Sequence, residues 1–93
     1  MLDSEKFQIA AGVNYQSLGS GEDGVLLSMS SGYLYRCNHT TLEILDAVKE
    51  RPTYAELLSQ FAERHGLESG QAHADLSRFL GQLLEEQLIA RAA

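Results

Sequence analysis

The sequence predicts an α+β fold in which an N-terminal three-stranded antiparallel sheet is followed by three helices. Short alternating runs, broken by glycine and rich in aromatic residues, occupy residues 12–37 and are typical of strands. Three segments with apolar residues at helical spacing follow, each introduced by a capping residue. A flexible arm is expected for residues 1–11, whose pattern is weak, and a single domain for residues 12–90.

The predicted sheet consists of three short strands with glycine-containing connections between them. The strands are expected at residues 12–18, 25–29 and 33–37. Residues 19–24 have the composition of a loop. Residues 30–32 predict a tight turn, because Gly32 takes a positive φ angle at little cost.

The third predicted strand has two chemically different faces. Alternation places Tyr33, Tyr35 and Cys37 on one face and Leu34 and Arg36 on the other. An open strand of this kind, lying beside a helix, can hold a peptide through its unpaired backbone groups.

The first predicted helix follows this strand without a linker. Asn38 is a favourable N-cap, because its side-chain oxygen can accept hydrogen bonds from the first turn. The helix is expected to end near Arg51, since Pro52 disfavours helical backbone at the residue before it. Its apolar stripe is Leu42, Leu45 and Val48, with Ile44 on the flank.

The second and third helices carry their own start and stop signals. Thr53 and Glu56 form a capping box for the second helix, and Gly66 predicts its end. Glu68 or Ser69 is expected to cap the third helix. Its predicted buried face is Ala72, Leu76, Phe79, Leu80, Leu83 and Leu84. Residues 88–89 end the pattern and are expected to return as a short strand or a tail.

Charge and hydropathy narrow the classes of partner. Thirteen acidic residues stand against seven scattered basic residues, giving a net charge of −6, which argues against nucleic acid as the partner. No apolar run approaches the length of a membrane span, and residues 1–6 lack the layout of a signal peptide. The single cysteine excludes an internal disulfide. A cytoplasmic protein without a membrane partner is therefore expected.

The sequence contains no constellation that predicts catalysis, a metal or a cofactor. Cys37 is interpreted as a small buried hydrophobe, because a nucleophilic cysteine would need a nearby histidine held by a third group. The three histidines, His39, His65 and His73, do not have zinc-ligand spacing. A small enzyme that depends on Cys37 or a histidine is retained as an alternative.

One edge of the third helix allows two interpretations. Asp75, Arg78 and Gln82 place mixed polarity beside Phe79. These side chains could form an ordinary solvated flank, or they could form the wall of a groove.

The order of these elements resembles that of the PqqD-like proteins, also called RiPP recognition elements. In that family an apolar strand, a turn ending in glycine, an aromatic strand and an asparagine lead into the first helix, as residues 25–38 do here. Residues 41–48 and 53–66 resemble the next two helices of the family. The third-helix pattern is matched by Ala72, Asp75, Phe79, Leu80 and Leu83, with Leu88 and Ile89 after it. The resemblance covers residues 13–90.

The resemblance implies a winged helix-turn-helix-like fold and a stand-alone, non-catalytic peptide-binding role. The bound peptide would be the leader of a ribosomally synthesised precursor, added as a strand to residues 33–37 against the third helix. Carried over, the leader-binding residues are Tyr33, Leu34, Tyr35, Arg36, Cys37, Asp75, Leu76, Arg78, Phe79, Gln82 and Leu83. The implied partner enzymes are a radical SAM protein, a leader peptidase or a cyclase.

Three positions depart from the family pattern. The family often has glycine near the position of Arg36, a larger aliphatic residue in place of Cys37, and glycine in place of Gln87. The change at Arg36 concerns which leader is held.

Two further questions stay open on sequence grounds. A winged-helix DNA-binding regulator is the alternative function, and it predicts a basic recognition helix. The third helix instead carries Arg78 and His73 against Asp75, Glu85 and Glu86. An exposed strand edge also permits strand exchange between copies, so a monomer or a strand-swapped dimer is expected.

Overall fold

The computed structural model describes residues 2–18, 23–29 and 31–92. Within these residues the strands are β1 (Lys6–Ile9), β2 (Val13–Ser17), β3 (Gly24–Ser28), β4 (Leu34–Cys37) and β5 (Ile89–Ala92), and the helices are α1 (His39–Val48), α2 (Tyr54–His65) and α3 (Ser69–Glu85). The strands form two antiparallel sheets, β1–β5 and β2–β3–β4. The predicted α+β class is confirmed. The prediction of one N-terminal sheet is incomplete, because a second sheet joins the two ends of the chain.

Residues 6–9, predicted as part of a flexible arm, instead form β1. Phe7 pairs with Arg91 of β5 and is fully buried, and its N–H donates to the Pro52 carbonyl at 3.2 Å. Burying a phenylalanine side chain contributes about 1.5–3 kcal/mol, which offsets part of the entropy cost of ordering the strand, and the hydrogen bonds to β5 add to it. The partner strand β5 lies at the other end of the chain, so this pairing could not be predicted from a local sequence pattern. The domain boundary at residues 12–90 remains a prediction.

The three-stranded sheet packs one face on the helices. Leu26 in the central strand β3 is buried, and Tyr15 and Tyr35 beside it pack against the same core. Gly24 belongs to β3 and not to the predicted loop. A Cβ atom there would lie 2.6 Å from the Gln16 carbonyl oxygen and 2.7 Å from Leu42 Cδ1, so only glycine allows this approach. Residues 19–22 of that loop, and Ser30 of the predicted turn, lie outside the described residues.

The caps of α1 and α2 follow the sequence signals. Asn38 Oδ1 accepts from the Thr41 N–H at 2.8 Å, and α1 ends at Val48, three residues before the predicted end. Arg51, which directly precedes the buried Pro52, has a φ angle of 51° and cannot continue the helix. The predicted capping box and the glycine stop of α2 are both confirmed.

The ends of α3 differ from the ends of the other helices. Glu68 is the N-cap but makes no side-chain capping bond. At the C-terminal end the Leu88 N–H donates to the Leu83 carbonyl and the Gln87 N–H to the Leu84 carbonyl. This is a Schellman motif, in which Gln87, with a φ angle of 62°, stands where glycine is usual. The turn directs the chain into β5. The sequence predicted either a short strand or a tail here, and the structure shows the strand.

One hydrophobic core joins the sheets and helices. Its fully buried large side chains are Tyr54, Phe7, Leu26, Leu45, Leu76, Leu80, Ile89 and Val48. Within the described residues, no helix combines the length and apolar character needed to span a bilayer.

Candidate functional site

The strand β4 forms one edge of the three-stranded sheet. It pairs with β3 on one side, and no described strand lies on its other side. The Ser28 N–H donates to the Tyr33 carbonyl at 3.0 Å. Because hydrogen-bonded pairs alternate along an antiparallel ladder, Tyr35 and Cys37 also face β3, while the N–H and C=O groups of Leu34 and Arg36 face outward. The backbone of an added strand could therefore form its hydrogen bonds with these two residues.

A cleft of about 280 Å³ lies between β4 and the C-terminal half of α3. Its lining residues are Leu26, Tyr35, Arg36, Cys37, Asn38, Thr41, Phe79, Gln82, Leu83, Glu86 and Leu88. The buried leucines form an apolar base, and the polar side chains stand at the rim. The cleft therefore combines an open backbone edge with an adjacent pocket for side chains, which is the arrangement that strand addition uses.

The α3 wall of the cleft is centred on Phe79. Its ring is half-buried and packs edge-to-face on Phe61, with centroids 6.3 Å apart. The guanidinium carbon of Arg78 lies 5.9 Å from the Phe79 ring centroid, and Arg78 Nη2 lies 3.6 Å from Asp75 Oδ1. Asp75 also accepts from Gln71 Nε2 at 3.0 Å. The carboxylate is therefore held within its own helix, and Arg78 stands exposed above the ring.

The structure brings six of the eleven predicted site residues together around one cleft, and their role in binding stays a prediction. They are Tyr35, Arg36, Cys37, Phe79, Gln82 and Leu83. Tyr33 and Leu34 are exposed on the adjoining strand, whereas Asp75 and Arg78 lie outside the cleft. Leu76 is fully buried and contributes to the core and to a different cleft.

Five cleft residues were not among the predicted site residues. They are Leu26, Asn38, Thr41, Glu86 and Leu88. Helical spacing from Phe79 and Gln82 would have extended the wall to Glu86. Asn38 and Thr41 were not predicted as site residues, because their capping hydrogen bond already explains why they occur at the start of a helix.

Cys37 lies at the cleft as an apolar side chain. Burial raises the pKa of its thiol, and the charge of Asp23 adds to that rise, so the thiol is protonated at neutral pH. His39 and His65 lie elsewhere, where each contacts the carboxylate of Glu43, at 2.9 Å and 3.2 Å. No group of metal-ligating side chains suited to an ion was found among residues 2–18, 23–29 and 31–92.

A larger cleft of about 670 Å³ lies between α1 and α2. Its walls include Glu43, Phe61 and Arg64. Its lining residues all belong to helices, so it presents no strand edge and could not accept a peptide as an added strand. The smaller cleft beside β4 is therefore the better candidate site despite its size.

The fold and the site define a small α+β protein whose sheet ends in an open strand beside a helix-lined cleft. The family model described as "Coenzyme PQQ synthesis protein D (PqqD)" matches residues 23–89. The chain therefore belongs to the PqqD family, and the resemblance noted in the sequence is confirmed.

The structure is also similar to a solved structure described as "TbiB1 in Complex with the TbiA(beta) Leader Peptide". The TM-score is 0.79 at 19% sequence identity, and the match covers 92% of this chain and 98% of that chain. This likeness shows that the two proteins share a fold. No match was found among curated proteins.

Proposed function

We propose that this protein is a recognition element that binds the leader of a ribosomally synthesised precursor peptide. The leader adds as a strand to β4 and is presented to a modifying enzyme in the cytoplasm. The observation that carries the proposal is the outward-facing backbone of Leu34 and Arg36 beside the cleft of α3. Family membership and the fold shared with TbiB1, which was solved with a leader peptide, support it.

Two kinds of contact would bind the leader, one through the backbone of β4 and one through the side chains of the pocket. Backbone hydrogen bonds to β4 supply affinity with little regard for leader sequence, because every residue except proline offers the same donor and acceptor. Side-chain selection comes from the pocket, where a leader residue pointing inward would meet Tyr35, Cys37 and Phe79. Arg36, where the family often has glycine, places a positive charge on the opposite face of β4, beside the open edge, and would favour a leader with a carboxylate on that face.

A binding role fits the chemistry of the cleft better than a catalytic role. The thiol of Cys37 is protonated and has no histidine among the other cleft residues to activate it. The winged helix-turn-helix description, with β3–β4 as the wing and α2–α3 as the helix pair, is part of the proposal. The charges of α3 do not support the DNA-binding alternative. The positive charge of Arg78 is offset by the negative charges of Asp75 and Glu85 on the same helix.

The test is a titration of the purified protein against the fluorescently labelled leader of the precursor encoded beside its gene. Saturable binding at micromolar concentration or tighter is expected, with the scrambled leader as control. The TbiA(beta) leader tests whether binding extends to a leader of another system. Failure of the folded protein to bind its own leader at hundreds of micromolar would refute the proposal. The proposed enzyme partner is a radical SAM protein, a leader peptidase or a cyclase. Co-purification with the leader-loaded protein would identify which of these enzymes it is.

A further inference from the structure

The C-terminal end of α3 lies beside the start of β4. The Leu88 carbonyl, shortly after α3 ends, accepts from the Ala10 N–H at 3.1 Å. Two positions further along the chain, the Gly12 carbonyl accepts from the Met29 N–H at 2.8 Å. Met29 directly follows β3 on the side from which the chain enters β4. These contacts place the last turn of α3 nearer to the Tyr33 end of the cleft than to its other end.

The middle of α3 lies beside the end of β4. The Phe79 ring packs on Phe61, and Phe61 packs on His65 with ring centroids 4.7 Å apart. His65 contacts the carboxylate of Glu43, which also contacts His39, the first residue of α1. The strand β4 ends two residues before His39. The helix α3 therefore runs along the cleft opposite to β4, with Phe79 at one end and its last turn at the other.

Glu86 is the charged side chain on the α3 wall of the cleft. Arg36 is the other charged lining residue, but strand alternation assigns it to the opposite face of β4 from Tyr35 and Cys37. Among the described residues, no cation forms an ion pair with Glu86. A cationic side chain that entered the cleft would therefore find the Glu86 carboxylate uncompensated.

The position of Glu86 on α3 also favours a cation. Glu86 is the C-cap of the helix, where the helix dipole is negative and basic side chains are stabilising. Residues 82–85 form the last turn, and none of these described residues is basic. The carboxylate adds negative charge to an end that is already negative. A bound cation would interact favourably with both the carboxylate and the helix end.

We infer that Glu86 is a specificity-determining residue, which selects a leader with a lysine or arginine pointing into the cleft. This inference rests on the proposed function. Phe79 and Glu86 are seven positions apart on α3, which corresponds to about 10 Å of helix. Two to four residues of an extended peptide cover about 7–13 Å. Because alternate side chains point inward, the selected leader carries its basic residue two or four positions from the apolar residue that contacts Phe79.

The experiment titrates the full chain and two charge-reversed variants against the fluorescently labelled leader of the precursor encoded beside its gene. Glu86→Lys should weaken leader binding by about three- to tenfold at low ionic strength. Glu85→Lys is the matched control, because it changes the net charge and the same helix end equally but lies outside the cleft. It should change leader affinity by less than about twofold. Both variants should fold, since lysine suits the C-terminal end of a helix.

A second set of titrations identifies the leader residue that meets Glu86. Each lysine or arginine of the leader is replaced in turn by glutamate. One replacement, at the spacing given above from an apolar residue, should weaken binding to the unchanged protein and restore binding to Glu86→Lys. Recovery that is confined to this pair of changes indicates a direct contact, because an effect of overall charge would be shared by all the replacements.

Three results would overturn the inference. Equal losses of leader affinity in Glu86→Lys and Glu85→Lys would show that net charge alone is responsible. Unchanged affinity in a folded Glu86→Lys protein would make Glu86 an ordinary solvated residue. Binding of a leader that contains neither lysine nor arginine, as tightly as the native leader, would remove the proposed selection. Absence of leader binding to the unchanged chain would instead refute the proposed function, and this inference with it.

Discussion

The Tyr15 hydroxyl donates a 2.8 Å hydrogen bond to Asp46 Oδ1, joining β2 to α1 across 31 positions of the chain. The Lys49 ammonium lies 4.9 Å from the centre of the Tyr15 ring and 3.9 Å from the same carboxylate oxygen. This contact ties one edge of the three-stranded sheet to the helices. The opposite edge of the sheet is β4, which lies beside α3 and has no described strand on its outer side.

Replacing Tyr15 should change both stability and its pH dependence. Burial raises the pKa of the Tyr15 hydroxyl, and the hydrogen bond to Asp46 raises it further, so folding favours the neutral form. The contribution of Tyr15 is therefore fully present below pH of about 10 and is lost as the pH rises beyond that. We expect Tyr15→Phe to cost about 0.5–1.5 kcal/mol at pH 7 and to make the decline at high pH shallower.

Urea unfolding between pH 7 and pH 11 measures this effect. Some decline should persist in the variant, because burial also raises the pKa of Tyr54. Tyr33→Phe, at an exposed side chain, should leave the free energy of unfolding at pH 7 unchanged. A decline in Tyr15→Phe as steep as in the unchanged protein would contradict the assignment.

Leu34→Pro should abolish leader binding or weaken it by at least about tenfold. Proline removes the outward N–H and places its ring where the leader backbone would lie. The ladder to β3 survives, because Leu34 and Leu27 form a non-hydrogen-bonded pair. Leu34→Ala, which keeps the N–H, is the matched control and should bind nearly normally. Full leader affinity in a folded Leu34→Pro protein, measured by fluorescence anisotropy, would rule out strand addition at β4.

Charge reversal near each of the two clefts should show which cleft the leader occupies. Arg78→Glu places a carboxylate beside Phe79 and Asp75, just outside the cleft, and we expect leader affinity to fall by up to about fivefold. Glu63→Lys changes the cleft between α1 and α2 and should have a smaller effect. Equal losses in the two variants, in titrations at one salt concentration, would place the leader elsewhere.

Cys37 offers a chemical probe of the cleft, because it is the single cysteine of the chain. Burial raises the pKa of its thiol, so alkylation by iodoacetamide at pH 8 should be slower than that of a free cysteine. A bound leader should slow it further by covering the pocket. Mass spectrometry of the alkylated chain follows both rates. Equal rates with and without saturating leader would show that the leader does not cover Cys37.

Gly24→Ala should destabilise the protein by about 1–3 kcal/mol. The new Cβ would lie 2.6 Å from the Gln16 carbonyl oxygen and 2.7 Å from Leu42 Cδ1, so the sheet or α1 must shift. Gly81→Ala is the matched control, because nothing lies within 4 Å of its Cβ position inside α3. It should stabilise the protein by about 0.5–1 kcal/mol. Similar unfolding midpoints for the two variants would contradict the close packing at Gly24.

The cleft was only partly predictable from the sequence. Helical spacing identified Phe79, Gln82 and Leu83 as one wall, since positions three and four apart share a helix face. It also placed Asp75 and Arg78 there, although the cleft runs toward the C-terminal end of α3. The direction of that shift depends on where β4 crosses the helix, which no local pattern specifies.

The elements whose signals are local could be predicted from the sequence alone. Asn38, the capping box at Thr53 and Gly66 act within one helical turn, and alternation along residues 33–37 operates within one strand. Three features become visible only in three dimensions: β1 and β5 form a second sheet, Gly24 lies against Leu42 of α1, and no described strand covers the outer side of β4 beside α3. Each of these depends on segments that are distant in the chain, and their burial is decided by the packing of the whole core.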